Sequence, residues 1–175
     1  KAIGEALRVN GVLIKLNLDG HALDLPKLRG TYPVASLDLS GKHLGPASAV
    51  VIASLIEGNA VLTKLNLDGH ELDLPKLRGT DPVESLDLSG KHLGSASAIV
   101  IASLIAGNEV LTKLDLSGSP FGRGGGIGAE GAKALASALR VNGVLTSLDV
   151  SVNHLGDEGE GAIRDAVSGR EGFEL

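Results

Sequence analysis

The sequence predicts an α/β fold: a right-handed solenoid with six parallel strands on its concave face, and helices alternating with extended segments on its convex face. Three observations predict it. The chain repeats itself, short segments with alternating leucines recur along it, and a helical pattern follows every second segment. Residues 1–175 are then a single repeat domain, with a partial repeat helix at 1–12, six strand-bearing repeats at 13–155 and a C-terminal helix and cap at 156–175.

The repetition is clearest between two near copies. Residues 13–61 align with residues 62–110 without a gap, at a period of 49 residues, and the copies differ at eight positions. Most of these differences exchange one expected surface residue for another, such as Tyr32 for Asp81. The expected core residues are unchanged, as they should be when each copy stacks on the next.

Strands are predicted where the pattern L-x-x-L-x-L, or a close variant with valine, recurs. Within each segment the apolar positions alternate, as at Leu16 and Leu18, and a period of two is typical of a strand with one buried face. The six segments begin at Leu13, Val34, Leu62, Val83, Leu111 and Leu145.

The connections between strands are of two kinds. Residues 47–56 and 96–105 place apolar and small side chains at a helical period, and Pro46 suits a first helical position. Residues 23–33 and 72–82 each carry two prolines and a glycine, so we expect extended segments there. Strands stack about 4.8 Å apart and packed helices lie about 8–10 Å apart, a mismatch that bends a solenoid with a helix in every repeat. Helices in only every second repeat therefore predict a flatter arc.

The fullest form of the repeat is LTSLDVSVNHL at residues 145–155, followed by GDEGEGAI. It resembles the leucine-rich repeats of the ribonuclease-inhibitor-like subfamily, as in the repeat regions of NOD-like receptors. The resemblance covers nearly the whole chain. It implies a protein-binding role within a larger intracellular sensor or scaffold protein, located in the cytoplasm.

One position departs from that family. Where the family has an asparagine that ties adjacent coils together, this chain has asparagine once, at Asn153. The other repeats have His21, Lys42, His70, Lys91 and Ser119. Lysine has no acceptor, so we expect an incomplete ladder of hydrogen bonds.

The resemblance places the binding surface on the concave face, where strand residues point away from the core. The candidate residues are the charged and amide side chains of that face: Lys15, Asn17, Asp19, Asp38, Lys64, Asn66, Asp68, Asp87, Lys113, Asp115 and Asp149. A simpler interpretation is that these residues keep an exposed sheet soluble. Interface hot spots favour Trp, Tyr and Arg, which the face lacks. The alternatives are two edges, one with Arg29 and Tyr32 and one with Phe121 and Arg123.

No catalytic, cofactor or metal site is predicted. Residues 126–131 match G-x-G-x-x-G, but a dinucleotide site needs a strand that runs directly into the first glycine, and here the strand ends at Leu116. His21, His43 and His70 would fall on successive coils, at turns where we expect structural or solvated roles.

The composition of the chain restricts the classes of partner and of covalent cross-link that we expect. A net charge of −5 argues against nucleic acid, which needs clustered Lys and Arg. No apolar run reaches the roughly 18 residues of a membrane helix, and the absence of cysteine excludes disulfides. Because residues 1–13 parallel residues 133–145, the chain opens inside a repeat, and we expect it to be part of a longer protein.

The sequence therefore predicts a non-catalytic protein–protein interaction module that binds an unidentified protein. The alternative is a structural or spacer array of repeats with no dedicated ligand. The near identity of the 49-residue copies favours this alternative, because specific binding usually requires surface positions to diverge.

Overall fold

The computed structural model describes residues 2–118 and 126–175, and in these ranges the chain forms eight strands and seven helices. The strands are β1 (Lys15–Leu18), β2 (His21–Asp24), β3 (Ser36–Asp38), β4 (Lys64–Asn66), β5 (Glu71–Asp73), β6 (Ser85–Asp87), β7 (Lys113–Asp115) and β8 (Ser147–Asp149). The helices are α1 (Ala2–Val9), α2 (Leu25–Arg29), α3 (Pro46–Ile56), α4 (Leu74–Arg78), α5 (Ser95–Ile105), α6 (Gly128–Leu139) and α7 (Gly156–Val167). Ser119, Phe121 and Arg123 lie outside the described residues.

All six predicted segments form strands, namely β1, β3, β4, β6, β7 and β8, but the prediction of one sheet with six parallel strands is wrong. Parallel pairing joins β3 to β4, and β6 to β7 to β8. Two further strands, β2 and β5, pair antiparallel with β1 and β4. Within the described ranges the strands form three sheets: β1 and β2 are antiparallel, β3, β4 and β5 form a mixed sheet, and β6, β7 and β8 are parallel.

The sheet is interrupted because the chain turns back after β1 and again after β4. Asp19 and Gly20 form the two-residue turn between β1 and β2, with φ angles of 51° and 78°. Positive φ at both positions is the type I′ geometry that Asp-Gly favours, and it matches the twist of a hairpin. Since β3 lies on one edge of β4, β5 takes the other edge, where the next parallel strand would pair.

Short helices replace the extended connections predicted after these hairpins. In α2, the Asp24 carboxylate accepts a hydrogen bond from the Lys27 N–H (3.2 Å), which caps the helix. Pro26 lies in the first turn, where its missing N–H breaks no helical bond, and Gly30 ends the helix with a φ of 83°. The second copy builds α4 in the same way. Pro26, which we took as evidence against a helix, thus lies in the first turn of one.

The longer helices pack in chain order, α1 on α3, α3 on α5, α5 on α6 and α6 on α7. Glycines allow close approach: a Cβ atom on Gly131 would lie 2.8 Å from the Ala98 Cβ, and one on Gly159 would lie 2.9 Å from the Ala132 Cβ. The core lies between these helices and the strands; of the inward strand leucines, Leu65 is fully buried and Leu86 is half-buried.

Buried asparagines that follow the helices tie adjacent segments together. The Asn108 Nδ2 donates to the carbonyls of Lys76 and Leu77 (3.0 Å each), and its Oδ1 accepts from the N–H groups of Val110 and Leu111 (2.9 Å each). Equivalent bonds are made by Asn59 and Asn142. Sequence analysis missed this ladder.

At the position where the family has asparagine, Asn153 donates to the Leu116 carbonyl of the preceding strand segment (2.8 Å). In the described part of the chain, the His and Lys residues at the other such positions make no corresponding side-chain bond. The connection between adjacent segments therefore depends mainly on the asparagines after the helices.

An arginine fastens each segment that covers a sheet edge. Arg78, at the end of α4, donates to the carbonyls of Ile56 and Leu62 (2.8 and 3.0 Å). Arg170, in the C-terminal tail, donates to the two corresponding carbonyls, those of Leu139 and Leu145. The tail then pairs with β8 through an isolated parallel bridge, so it covers β8 much as β5 and α4 cover β4.

Candidate functional site: the exposed face of the strands

The structure aligns three of the predicted aspartates across β6, β7 and β8. Asp87 pairs in register with Asp115, and Asp115 with Asp149. Adjacent strands lie about 4.8 Å apart, so the three carboxylates follow one another across the sheet. We call these three residues the acidic row. Asp87 and Asp149 are exposed, and Asp115 is half-buried.

Backbone hydrogen bonds orient the acidic row. Each carboxylate Oδ1 accepts from the N–H two residues later, at a distance of 2.8 Å in all three strands; the donors are Ser89, Ser117 and Ser151. The Ser89 side chain and N–H hold the pKa of Asp87 below its ordinary value of 3.8. Hydrogen bonds to the charged form have this effect, so Asp87 is ionised at neutral pH.

A neighbouring row of strand residues contains a single lysine. Ser85, Lys113 and Ser147 are in register on the same three strands, and Lys113 is exposed. This lysine offsets only part of the charge of the acidic row. Lys64, another candidate of the concave face, forms ion pairs with Glu71 (3.6 Å) and Asp73 (3.4 Å) on β5.

Two other candidates have structural roles. The Asp19 carboxylate accepts from the Gly45 N–H (2.9 Å) and the Ser48 Oγ (2.5 Å) at the start of α3. Because Gly45 at the N-cap has no side chain, the preceding hairpin supplies the cap. The Ser48 hydroxyl and the Gly45 N–H lower the pKa of Asp19. Its stabilising effect is therefore present above pH 3.8 and lost as the pH falls through its folded-state pKa.

Asp68 caps α5 in the same manner, and its removal tests that role. Its carboxylate accepts from the N–H groups of Gly94 (2.9 Å) and Ser97 (3.0 Å). Asp68→Ala is expected to lower the free energy of unfolding by about 1 kcal/mol, because two N–H groups of the helix start lose their acceptor. Urea denaturation followed by circular dichroism measures the change. Asp68→Asn, which keeps an acceptor oxygen, should lose less than half as much; equal losses would exclude the capping role.

The remaining candidates are separated from the acidic row. Lys15 and Asn17 are exposed on β1, in a different sheet. Asp38 pairs in register with Asn66 between β3 and β4. The structure therefore divides the predicted surface among three sheets, and three of its aspartates align in one sheet only on β6, β7 and β8.

A groove that sequence analysis missed continues the acidic surface beyond β8. It has a volume of 540 Å³ and lies between β8, α7 and the C-terminal tail. Its lining includes Asp149 of the acidic row, Glu160 and Glu174, with Leu148 and Ile163 among the apolar residues. Arg164 forms an ion pair with Glu160 (3.1 Å). The sequence indicated only that β8 is the last strand of the repeat pattern, because no further L-x-x-L segment follows Val150.

Across residues 2–118 and 126–175, no three His, Asp or Glu side chains come together in a metal-binding arrangement. Burial lowers the pKa of His70, which favours its neutral form. None of the helices in those ranges is long and apolar enough to cross a membrane.

Comparison with protein families matches residues 141–163 to the leucine-rich repeat model. The matched range contains β8, Asn153 and part of α7, and it supports a leucine-rich repeat protein. Comparison with curated proteins gives no match. Among solved structures, leiomodin-1 actin-binding site 2 is similar with 17% sequence identity and a TM-score of 0.38, over 82% of this chain and 69% of that chain. At these values the likeness carries no conclusion about fold or function.

Proposed function

We propose that this chain is a non-catalytic protein–protein interaction module that binds through the acidic row. The alignment of Asp87, Asp115 and Asp149 on exposed parallel strands carries the proposal. Their carboxylates are held in place by backbone bonds before any partner arrives, so binding orders few side chains. The leucine-rich repeat match, which includes β8, supports this role, because repeat proteins commonly bind partners on extended strand faces.

The partner we propose is a protein segment with several Arg or Lys side chains. Guanidinium groups bind carboxylates with two parallel hydrogen bonds, and the groove next to Asp149 adds Glu174 to the negative surface, while its Glu160 is paired with Arg164. The strand face has no aromatic anchor, so binding should be weak and strongly reduced by salt.

The finer assignment of the fold belongs to the same proposal. We place the chain with the ribonuclease-inhibitor-like leucine-rich repeats, as a solenoid whose sheet is interrupted by hairpins, in a cytoplasmic sensor or scaffold protein. The packing of the longer helices in chain order supports a coiled arrangement. The cytoplasmic location rests on the sequence resemblance alone.

A triple variant tests the acidic row. Asp87→Asn, Asp115→Asn and Asp149→Asn together should weaken binding of a fluorescent peptide of alternating serine and arginine by at least about tenfold, or about 1.4 kcal/mol. Asparagine keeps the Oδ1 acceptor, so the strand ends should stay folded, as circular dichroism would verify. Fluorescence anisotropy at low salt measures the affinity.

A second triple variant is the matched control for net charge. Asp81→Asn, Glu84→Gln and Glu109→Gln remove the same charge from exposed positions outside the acidic row. The first copy has Tyr32, Ala35 and Ala60 at these positions, so the fold does not require acidic residues there. This control should bind the peptide nearly as well as the unmodified protein. Equal losses in both triple variants would mean that binding follows net charge alone and would overturn the proposal.

A structural array with no dedicated ligand is the second candidate. It is favoured by the internal use of Asp19, Lys64 and Asp68, which bond to neighbouring segments of the chain. It is also favoured by the near identity of the two copies. If the acidic-row variant and the net-charge control bind the peptide with the same affinity, the structural array is supported.

A further inference from the structure

Strand β6 has an edge without a partner strand in the middle of the chain. On its other edge, the Glu84 carbonyl and the Leu88 N–H bond to the backbone of the β7 segment (3.0 and 2.8 Å). The backbone groups of successive strand residues point to opposite edges, so those of Ser85 and Asp87 point away from β7. Within the described part of the chain β6 pairs with β7 alone. We call the second edge of β6 the open edge.

The open edge results from the hairpin that precedes it. Strand β5 comes before β6 in the sequence, but it turns back and pairs antiparallel with β4, in another sheet. Helix α4 then leads to β6. Described elements therefore lie on both sides of β6 in the sequence, and its open edge is a property of the fold.

The inward side chain of β6 is incompletely covered. Leu86 is half-buried, whereas its counterparts in register, Leu114 and Leu148, are 2% and 1% exposed. Leu37, on the corresponding strand β3 of the first copy, is also half-buried, and among the described strands β3 pairs with β4 alone. A further strand beside β6 would supply the missing apolar contacts of Leu86.

The opposite edge of the same sheet shows how such an edge is covered. The Leu148 N–H donates to the Glu174 carbonyl (3.0 Å), and the Glu174 N–H donates to the Thr146 carbonyl (2.9 Å). Phe173, the residue before Glu174, packs against the core. The C-terminal tail thus combines backbone bonds to β8 with an apolar side chain that faces inward.

We propose that the open edge of β6 binds an extended segment of a partner protein in which arginine and aliphatic side chains alternate. The arginines lie on the exposed face beside Asp87, and the aliphatic side chains between them cover Leu86. The charge of the acidic row selects arginine, because Asp115 and Asp149 follow Asp87 across the sheet. Strand addition of this kind takes affinity from the backbone and specificity from alternate side chains.

This inference rests on the proposed function, because it uses the acidic row and adds a backbone edge to it. The two can nevertheless fail separately. A peptide of alternating serine and arginine needs only the carboxylates of the acidic row. Strand addition also requires aliphatic side chains and backbone N–H groups in the peptide.

The test is a titration of the ¹⁵N-labelled protein at low salt with the peptide SRVRVRS, blocked at both ends. The amide signals of Ser85 and Asp87 should shift and saturate, and hydrogen exchange of both N–H groups should slow. The affinity should exceed that for SRSRSRS, which has the same charge, by at least about tenfold. Unchanged hydrogen exchange at Ser85 and Asp87, or equal affinity for the two peptides, would overturn the inference, whereas the proposed function is decided by the acidic-row variant.

Two methylated peptides test the backbone bonds. In a parallel strand the N–H groups that face β6 belong to the valines, and in an antiparallel strand they belong to the arginines. Methylation of the backbone nitrogen at all valines, or at all arginines, leaves the charge of the peptide unchanged. One of the two methylated peptides should bind at least about tenfold more weakly than SRVRVRS. Full affinity of both would contradict strand addition.

A substitution in the protein locates the peptide. Ser85→Pro removes an N–H from the open edge and keeps the bonds between β6 and β7, since proline is tolerated on edge strands. It should weaken binding of SRVRVRS at least about tenfold, and that of SRSRSRS less than about twofold. The methylated peptides provide the same test without a variant, should Ser85→Pro fail to fold.

Ser36→Pro is the matched control, because it makes the same change on β3. There Asp38 pairs in register with Asn66, so the edge of β3 has no acidic row beside it. This variant should bind SRVRVRS nearly as well as the unmodified protein, and equal losses in the two proline variants would overturn the inference. Shifts of the β6 amide signals with protein concentration, before peptide is added, would mean that a second copy of the chain occupies the edge. That result would also overturn it.

Discussion

Asn108→Ala is expected to lower the free energy of unfolding by about 3–5 kcal/mol. The Asn108 amide is 2% exposed and joins the end of α5 to the segment containing α4. Truncation would leave the Leu77 carbonyl without its donor and the N–H groups of Val110 and Leu111 without their acceptor, whereas the Lys76 carbonyl keeps the Gly79 N–H. Each buried group left without a partner costs about 1–3 kcal/mol. Equilibrium unfolding in urea measures the loss.

Asn10 provides the matched control for this substitution. It stands in the same sequence context, Val-Asn-Gly-Val-Leu, as Asn142, but it is exposed and bonds only to Val12 and Leu13. Asn10→Ala should therefore cost less than about 1 kcal/mol. A loss in Asn108→Ala as small as that in Asn10→Ala would show that the asparagine ladder does not hold adjacent segments together.

Arg78→Ala is expected to cost about 2 kcal/mol. The Arg78 guanidinium donates to the Ile56 carbonyl at the end of α3 and to the Leu62 carbonyl before β4. Burial lowers the pKa of Arg78, but arginine stays charged at any pH at which the protein folds. Hydrogen bonds from a charged donor are stronger than neutral ones. The buried Nε–H has no partner, which offsets part of the gain.

The Arg78 prediction is checked by thermal and urea unfolding, with Arg29→Ala as the control. Arg29 occupies the same position in the first copy, and its recorded hydrogen bond goes to the Leu13 carbonyl at the exposed end of the structure. Its removal should cost less than half as much as that of Arg78. If the two variants lose the same stability, the buried bonds of Arg78 do not secure α4 against the α3–β4 connection.

The strand positions were predictable because alternating leucines are a local pattern. Leu37 and Leu65 stand in register in neighbouring parallel strands, and so do Leu86 and Leu114. The helices α3 and α5 were predictable for the same reason, since a continuous run of apolar and small residues fits one helical stretch. Duplication strengthened both predictions, because each pattern occurs twice.

The hairpins were not predicted, although the sequence carried a signal for them. Asp19-Gly20 is a strong turn dipeptide, but the leucines that follow it, Leu23 and Leu25, were assigned to an extended connection. Pro26 was taken as evidence against a helix, yet it falls in a first turn, where proline is tolerated. Both errors concern how an element begins, which depends on a few residues and not on a long pattern.

The roles of the candidate site residues depended on distant contacts. The alternating strand pattern predicted both Asp19 and Asp87 on the concave face. Asp19 caps a helix whose N-cap residue, Gly45, lies 26 residues later, whereas Asp87 lies on the exposed face. Local patterns do not distinguish these outcomes, because the difference lies in the packing of the next helix.

Because β5 pairs with the edge of β4, β4 does not pair with β6, and the acidic row is limited to β6, β7 and β8. Nuclear Overhauser spectroscopy of the labelled protein tests this arrangement directly. Backbone cross-peaks should connect Leu65 with Leu72, Leu86 with Leu114 and Leu114 with Leu148, in agreement with the observed registers. Backbone cross-peaks between Leu65 and Leu86 would place β4 beside β6 in one continuous parallel sheet. That result would contradict both the interrupted fold and the isolated acidic row.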